Sequence, residues 1–499
     1  MADSSSKSDR PAPHSVASVA DSTAGPQFDV AVIGAGLAGL TSAVRAAELG
    51  VRVVLLESGE GDDYPCNARF SGGVFHTSYT DPKKDAAVVR QAINEATNGE
   101  ADPSLVDTII HDAPRALDWL RSHGARFIRG TVDWHAWVLA PPRPMSTGLD
   151  WRGRGPDVLL KALTRKALEL GVVRWNGWRA VELRMRDGAC AGLRAERQGQ
   201  HRDILALSVI LADGGFQGNA ELFRAHIGPS PERVVQRSAG TGVGDGLKMA
   251  IEAGAAVTSL NRFYGHVLSR DALTNPNLWP YPQVDLLAAS GIVVDPDGSR
   301  MLDEGLGGVY IANELARLDD PASTTVIVDR SIWDGPGKQA QIPPNPMLER
   351  AGGTVHEANT LAELAALAGI APEGLQRTVA TYNDAINGGS LDRLQPARSN
   401  RKAKAWPIVT APFRAIPISS GITHTMGGVV IDGQARVLSR DGRAIPGLCA
   451  AGTTTGGLEG GSIAGYVGGL IRAATLGLRA GETAAGAVRD ITSTSNRLR

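Results

Sequence analysis

The stretch FDVAVIGAGLAGL, beginning at Phe28, constrains the fold more than any other part of the chain. It opens with a short apolar run, as a strand buried on both faces requires. Gly34-x-Gly36-x-x-Gly39 follows, then a helical run closed by Gly50, then a second apolar run, VRVVLLE, ending on Glu57. Strand, glycine turn, helix, strand and acid within about 30 residues is the pattern of a dinucleotide-binding βαβ unit. Gly34 permits the tight turn, Gly36 lets a pyrophosphate approach with no Cβ in the way, and Gly39 lets helix and strand close up. Leu37 and Ala38 begin the helix, whose unpaired N–H groups and positive dipole end face the phosphates. Glu57 lies 21 positions after Gly36, where an acid accepts hydrogen bonds from ribose hydroxyls and repels a 2′-phosphate. NADP is therefore disfavoured, but the motif does not choose between FAD and NAD.

Glycine supports this reading: 60 of 499 residues, with no collagen-like period, gathered in short motifs where backbone must approach a bulky ligand. A net charge of −1, from 51 basic and 52 acidic side chains, gives no footprint for nucleic acid or an anionic membrane. The three cysteines form no C-x-x-C pair, so no zinc or other metal site is expected, and their scarcity fits a reducing, cytoplasmic setting. No apolar run approaches the ~18 residues of a membrane span. The first 26 residues, rich in Ser, Ala, Asp and Pro, read as a disordered tail.

A length of 499 residues suits two or three domains. Helical text over residues 81–124 and 157–171 precedes a β-rich meander with a hairpin about Asp187-Gly188. A strand ending in Leu211-Ala212-Asp213-Gly214-Gly215 and a glycine loop entering a helix at Gly244-Asp245-Gly246 follow. The middle of the chain changes character, with Pro-rich loops and a helical segment, and then strand, glycine loop and helix resume at GLCAAGTTTGG. The expected division is a Rossmann-like α/β nucleotide domain in two pieces, 27–259 and 425–499, with an α+β capping or substrate domain, 260–424, inserted between them.

Five further segments carry a resemblance. They are Asn67-Ala68-Arg69-Phe70-Ser71-Gly72-Gly73, Leu211-Ala212-Asp213-Gly214-Gly215-Phe216, Gly244-Asp245-Gly246, His424-Thr425-Met426-Gly427-Gly428, and the run from Ile445-Pro446-Gly447 through Gly452 to Gly457. Together with the first turn they resemble the fumarate reductase/succinate dehydrogenase flavoproteins, a family that includes soluble fumarate reductases, ketosteroid dehydrogenases and tricarballylate dehydrogenase. The resemblance covers nearly the whole chain from Phe28. It implies FAD, held by the first turn and Glu57 together with Asn67, Ala68, Arg69, Ser71, Gly72, Gly73, Ala212, Asp213, Gly214, Asp245, Gly427, Gly452, Ser462 and Ile463. The position of the histidine that tethers flavin in complex II relatives is Cys66 here, so non-covalent FAD is expected.

Two departures matter. The reductases' R-F-x-N-E motif matches Arg300-Met301-Leu302-Asp303-Glu304, but the arginine that delivers their proton falls on Gly308. Their carboxylate-holding arginine of the last glycine loop falls near Ile463. Fumarate chemistry is therefore not expected. Two of the family's active-site histidines match His266 and His424, and Arg69 is a candidate either to orient a substrate carboxylate or to pair with an acid. Since ketosteroid dehydrogenases use tyrosines to polarise a carbonyl and take the proton, the resemblance points to Tyr466 with His424 for the first task and to Tyr264 or His266 for the second. The expectation is a dehydrogenase (desaturase) that introduces a C=C bond beside a ketone or carboxylate of a small, possibly cyclic, substrate. An ene-reductase working in reverse and a non-catalytic FAD carrier are the alternatives. The electron acceptor stays open among oxygen, quinone and a carrier protein.

Overall fold

The computed structural model describes residues 27–497; the 26-residue tail expected at the start lies outside them. The central sheet runs, edge to edge, Arg436–Leu438, Ala444–Ala450, Gln200–Leu211, Phe28–Ile33, Val53–Glu57 and Val173–Asn176. From Ala444–Ala450 onward these neighbours are parallel. Val30 pairs with both Val53 and Ser208, so the first strand is central. Its residues Val30, Ala31 and Val32 are fully buried, which is why it reads as a continuous apolar run rather than an alternating one. The hairpin Arg179–Arg186 with Ala189–Arg197 turns on Asp187 and Gly188, with φ of 50° and 78°. Positive φ at both central residues matches the twist of the strands they join.

The helical text of 81–124 resolves into two helices, Ala86–Thr97 and Pro103–Ser122. Asn98 in the left-handed region ends the first, and the Asp102 side chain caps the second ahead of Pro103. The helix Leu37–Glu48 packs on the last helix, Gly469–Arg497, by backbone approach. A Cβ at Gly477 would stand 2.6 Å from the Ala38 carbonyl oxygen, and one at Gly481 2.6 Å from that of Ser42. Ser42 Oγ donates to the carbonyls of Ala38 and Gly477, at 2.9 Å each. Glu482 ties this end of the chain to Arg45 and Arg115. The first and last described helices thereby share one core.

A second sheet is built around the 13-residue strand Phe413–Thr425. Phe263–Ser269, Thr325–Val328 and His356–Ala358 pair with it antiparallel, and Val235–Gln236, from before residue 260, pairs parallel. Tyr264 stands opposite His424, but Gly265 stands opposite Ile422, so Thr423 is the extra residue of a β-bulge. Its backbone and side chain are used elsewhere: Asn67 Nδ2 donates to the Thr423 carbonyl at 2.8 Å, and Arg237 Nη1 to its Oγ1 at 2.7 Å. Gly265 is required beside the bulge, since a Cβ there would lie 2.0 Å from the Gly421 carbonyl oxygen. Among the described residues, no helix is long and apolar enough to cross a membrane.

Candidate functional site

A cavity of ≈ 760 Å³ runs from the first glycine turn to the bulged strand pair of the second sheet. Gly34, with φ of +92°, has no room for a side chain, because a Cβ would lie 2.6 Å from the Ala212 carbonyl oxygen. Gly36 faces open space, and a Cβ at Gly39 would lie 1.8 Å from the Gly34 carbonyl oxygen. The helix start is thus pressed onto the turn and left bare where a pyrophosphate would approach. Glu57 closes this end: Oε2 accepts from Ala35 N and Oε1 from Gly59 N, each at 2.8 Å. Ser58 Oγ also reaches Oε1, at 3.4 Å, so the carboxylate is held at the cavity edge with a lone pair of Oε2 left for a ribose hydroxyl.

Of the remaining residues expected at the cofactor, Leu37, Ala38, Asn67, Ala68, Ser71, Gly72, Ala212, Asp213, Gly214, Asp245 and Gly452 line the cavity. Several do so with side chains already engaged. Asn67 bonds Thr423 O and accepts from Ala239 N, stitching three segments together. Asp245 holds Arg179 in a two-pronged pair at 2.6 Å. Burial pushes the Asp213 carboxyl up to about 6, although it accepts from Gly246 N at 2.7 Å. Burial likewise pushes the Cys66 thiol, at the cavity wall, up to about 11.

Six expected residues are not among the lining. Arg69 is buried beneath it, 3.2 Å from Asp157 Oδ1 and donating to the Asp62 carbonyl, so it pairs with an acid and cannot reach a ligand. Gly39 and Gly73 serve packing; Pro156 would meet a Cβ at Gly73 at 3.2 Å. Gly427 is pressed against the backbone of Ser259. Ser462 turns outward, its N–H and Oγ both donating to Glu100, and Ile463 beside it is buried. The resemblance placed these two in the loop after Gly456, but the helix whose start reaches the cavity begins only at Gly469.

At the other end the four expected catalytic residues converge. The rings of Tyr264 and Tyr466 stack with centroids 3.7 Å apart, and His424 lies 5.2 Å from the Tyr264 ring. Gly469 N–H, at the start of the last helix, donates to the Tyr466 hydroxyl oxygen at 2.9 Å. The hydroxyl's own proton is left free to donate into the cavity. Burial, then the nearby Glu459 carboxylate, pushes the Tyr466 phenol far above its ordinary range and keeps it a donor. His266 Nε2 lies 3.0 Å from the Tyr264 hydroxyl, while Nδ1 is hydrogen-bonded to Asp285 Oδ2. A carboxylate on Nδ1 fixes the tautomer in which Nε2 is an acceptor aimed at the tyrosine. Burial holds His266 below the ordinary histidine range, with Asp285 opposing it.

Several residues of this end had no sequence signal. Asp285 is one of them. The space a side chain at 308 would need belongs to it: a Cβ on Gly308 would lie 2.2 Å from the Asp285 carboxyl. Glycine at 308 is thus what leaves Asp285 room to anchor His266. Arg300 and Glu304, by contrast, pair with each other in the core. Ser78 and Tyr79 adopt φ of 47° and 61°, which costs ~1–3 kcal/mol each. The Tyr79 ring stacks on His76 at 4.8 Å beside Tyr466. Beneath His424, Glu459 accepts from the N–H groups of Val467 and Gly468 and pairs with fully buried Arg472 at 2.8 Å. Arg143, Arg237 and Tyr281 complete the wall. A phenol, a lone arginine or an aspartate carries no local pattern, so only the tertiary arrangement reveals these groups.

Residues 29–465 match the model of a known family, described as FAD binding domain. The chain belongs to that family. Its members' cofactor is FAD, and the protein is an FAD-dependent oxidoreductase. Within the family it is similar to a fumarate reductase (cytochrome) of Shewanella frigidimarina, 26% identical over 92% of this chain and 77% of the relative. It is also similar to a 4-oxocyclohex-2-ene-1-carboxylate 5-dehydrogenase of Sinomonas cyclohexanicum, 29% identical over 66% of this chain and 59% of the relative. The fold is shared with the crystal structure of a 3-ketosteroid-Δ4-(5α)-dehydrogenase from Rhodococcus jostii RHA1: TM-score 0.69, 22% identity, 93% of this chain and 99% of that one. The bare first turn, Glu57 and the long cavity fit FAD.

Proposed function

We propose that this protein is a dehydrogenase that removes two hydrogens from adjacent carbons of a small ketone, leaving a C=C bond conjugated to the carbonyl. The observation that carries the reading is the hydrogen-bonded chain Tyr264–His266–Asp285, facing a second tyrosine whose hydroxyl proton is free. Relatives named for reduction of fumarate and for dehydrogenation of an oxocyclohexene carboxylate support carbon–carbon chemistry in either direction. The glycine at 308 supports dehydrogenation, because the resemblance to the reductases puts their proton-donating arginine at this position and Asp285 leaves no room for a side chain there.

FAD, when bound, supplies the hydride acceptor. The lining residues of the first turn, Glu57 and the segments about Ala68, Asp213 and Gly452 would hold it. Tyr466 donates a hydrogen bond through its free proton to the substrate carbonyl, assisted by His424, and keeps that proton throughout, which makes the neighbouring C–H acidic. The Tyr264 oxygen takes that proton while passing its own to His266 Nε2, and Asp285 stabilises the imidazolium that forms. A bare phenol held far above its ordinary range is a poor base; coupling to a neutral histidine removes that difficulty. Stacked Tyr264 and Tyr466 keep the donor and the acceptor on one side of the cavity. We also propose the division into a nucleotide unit (27–259 and 425–499) and a cap (260–424), and a cytoplasmic setting, supported by three unpaired thiols.

The test is an anaerobic titration of the FAD-loaded protein with saturated cyclic ketones and oxo acids. Bleaching of the flavin band, with the unsaturated product found by mass spectrometry, is expected. Failure of every saturated compound, with reoxidation of dithionite-reduced protein by conjugated alkenes, would assign the reverse reaction instead. Tyr466→Phe is expected to slow bleaching by ~10²–10³-fold, the loss typical of one donor to a developing oxyanion.

A further inference from the structure

Arg143 and Arg237 line the same cavity as the two tyrosines, and neither has an acidic partner of its own. Arg237 is 7% exposed. Its Nη1 donates to Thr423 Oγ1 at 2.7 Å and its Nη2 to the Pro280 carbonyl at 3.2 Å, while its buried Nε has no partner. Arg143 donates from Nε to the Asp150 carbonyl at 3.0 Å, lies 5.8 Å over the Tyr281 ring, and keeps a buried Nη2 without a partner. The nearby carboxylates are committed: Asp285 to His266 and to Val267 N, and Asp150 to Arg154. Burial pulls both arginines below their ordinary range, and they meet the same short segment: Arg237 donates to the Pro280 carbonyl and Arg143 lies over the ring of the next residue, Tyr281. A buried and a half-buried guanidinium lining one cavity, each with a buried N–H group left unpaired, are costly unless an anion joins them.

The pyrophosphate of the cofactor is not that anion. Its place is the Gly34–Gly39 turn, whereas Arg237 contacts Thr423 and Pro280, beside the tyrosine pair. A planar carboxylate matches the fork geometry of guanidinium.

We propose that Arg143 and Arg237 form a carboxylate subsite, so that the substrate is a ketone bearing one carboxylate, a choice that rests on the dehydrogenase reading above. The carbonyl end meets Tyr466 and the anionic end meets the arginines, which orients the C–H to be broken toward Tyr264. A substrate needing a second anionic clamp at position 308 or 463, as a dicarboxylate would, finds a glycine and a buried isoleucine there.

The test uses the FAD-loaded protein and an unreactive probe, 4-hydroxybenzoate, with 4-hydroxybenzamide as its neutral control, each followed by its perturbation of the flavin spectrum. The acid is expected to bind the unaltered protein at least ~10-fold more tightly than the amide. Arg237→Gln and Arg143→Gln are each expected to weaken the acid by ~10–100-fold and to leave the amide unchanged. Equal affinity of acid and amide for the unaltered protein overturns the subsite. So does equal weakening of both probes in the variants, which would make the arginines supports of cavity shape. Charge-selective binding by a protein that no saturated oxo acid bleaches would keep the subsite and sink the dehydrogenase reading instead.

Discussion

Gly308 and Asp285 show how one residue's absence defines another's role. The carboxyl of Asp285 lies where a side chain at 308 would begin, and from there it holds His266 Nδ1. Gly308→Arg is therefore expected not to create a fumarate reductase. It should displace Asp285 and cut the rate of flavin reduction by saturated substrate by at least ~10²-fold in stopped flow. Asp285→Asn keeps the volume but not the tautomer, and its expected loss is ~10²–10⁴-fold. The pH profile separates positioning from simple damage. His266 accepts a proton only when neutral, and burial holds it below the ordinary ~6.5. The rate should rise with pH along a limb centred below that value and then level off. Asp285 opposes the effect of burial, so in Asp285→Asn the limb moves to still lower pH while the plateau falls. A limb that stays in place would deny Asp285 its link to His266.

Among the elements, the first turn and the bulged strand do most to shape the site. The turn is local, and its geometry follows from three glycines within six residues. Gly39→Ala places a Cβ 1.8 Å from the Gly34 carbonyl oxygen, and helix Leu37–Glu48 must move off the strand. The variant is expected to purify with less than about a tenth of the unaltered FAD content, since ~1.4 kcal/mol of lost fit is already tenfold in affinity. Normal FAD content, read from the absorbance spectrum, would show the close approach to be dispensable. The bulge at Thr423 works differently. It has no signature in the text FRAIPISSGITHTMGG, yet it turns one residue out of the ladder for Asn67 and Arg237 and sets Tyr264 opposite His424. The helical reading of 81–124 missed its break for a related reason: Asn98 ends a helix by entering the left-handed region, which asparagine tolerates but does not announce.

At the scale of the molecule, the cavity joins segments from the beginning, middle and end of the chain, and a ligand filling it bridges both sheets. Binding to the folded state alone must stabilise it by mass action. Added FAD is expected to raise Tm progressively, with ~2.7 kcal/mol gained at a hundredfold excess over Kd. A Tm independent of FAD in the apoprotein would mean that the cavity forms only with the cofactor already in place during folding. The contacts between helices Leu37–Glu48 and Gly469–Arg497 make the two ends one unit, so the transition should be single.

What the amino-acid sequence determined by itself is the part written in short-range rules. Strand, glycine turn, helix and acid specify a nucleotide site because each requirement is met by residues within one βαβ unit. The resemblance of the later glycine segments extended that to FAD, and it located Tyr264, His266, His424 and Tyr466 near one another. Only the tertiary structure decided which of the expected residues face the cavity. Arg69 and Ser462 stand in motif positions, but an aspartate 88 residues onward and a glutamate from another helix boundary claim their side chains. Only the fold, likewise, assembled Asp285 with His266 and brought Arg143 and Arg237 to the lining of one cavity. Ion pairing and burial depend on distance in space, and a sequence records order along the chain.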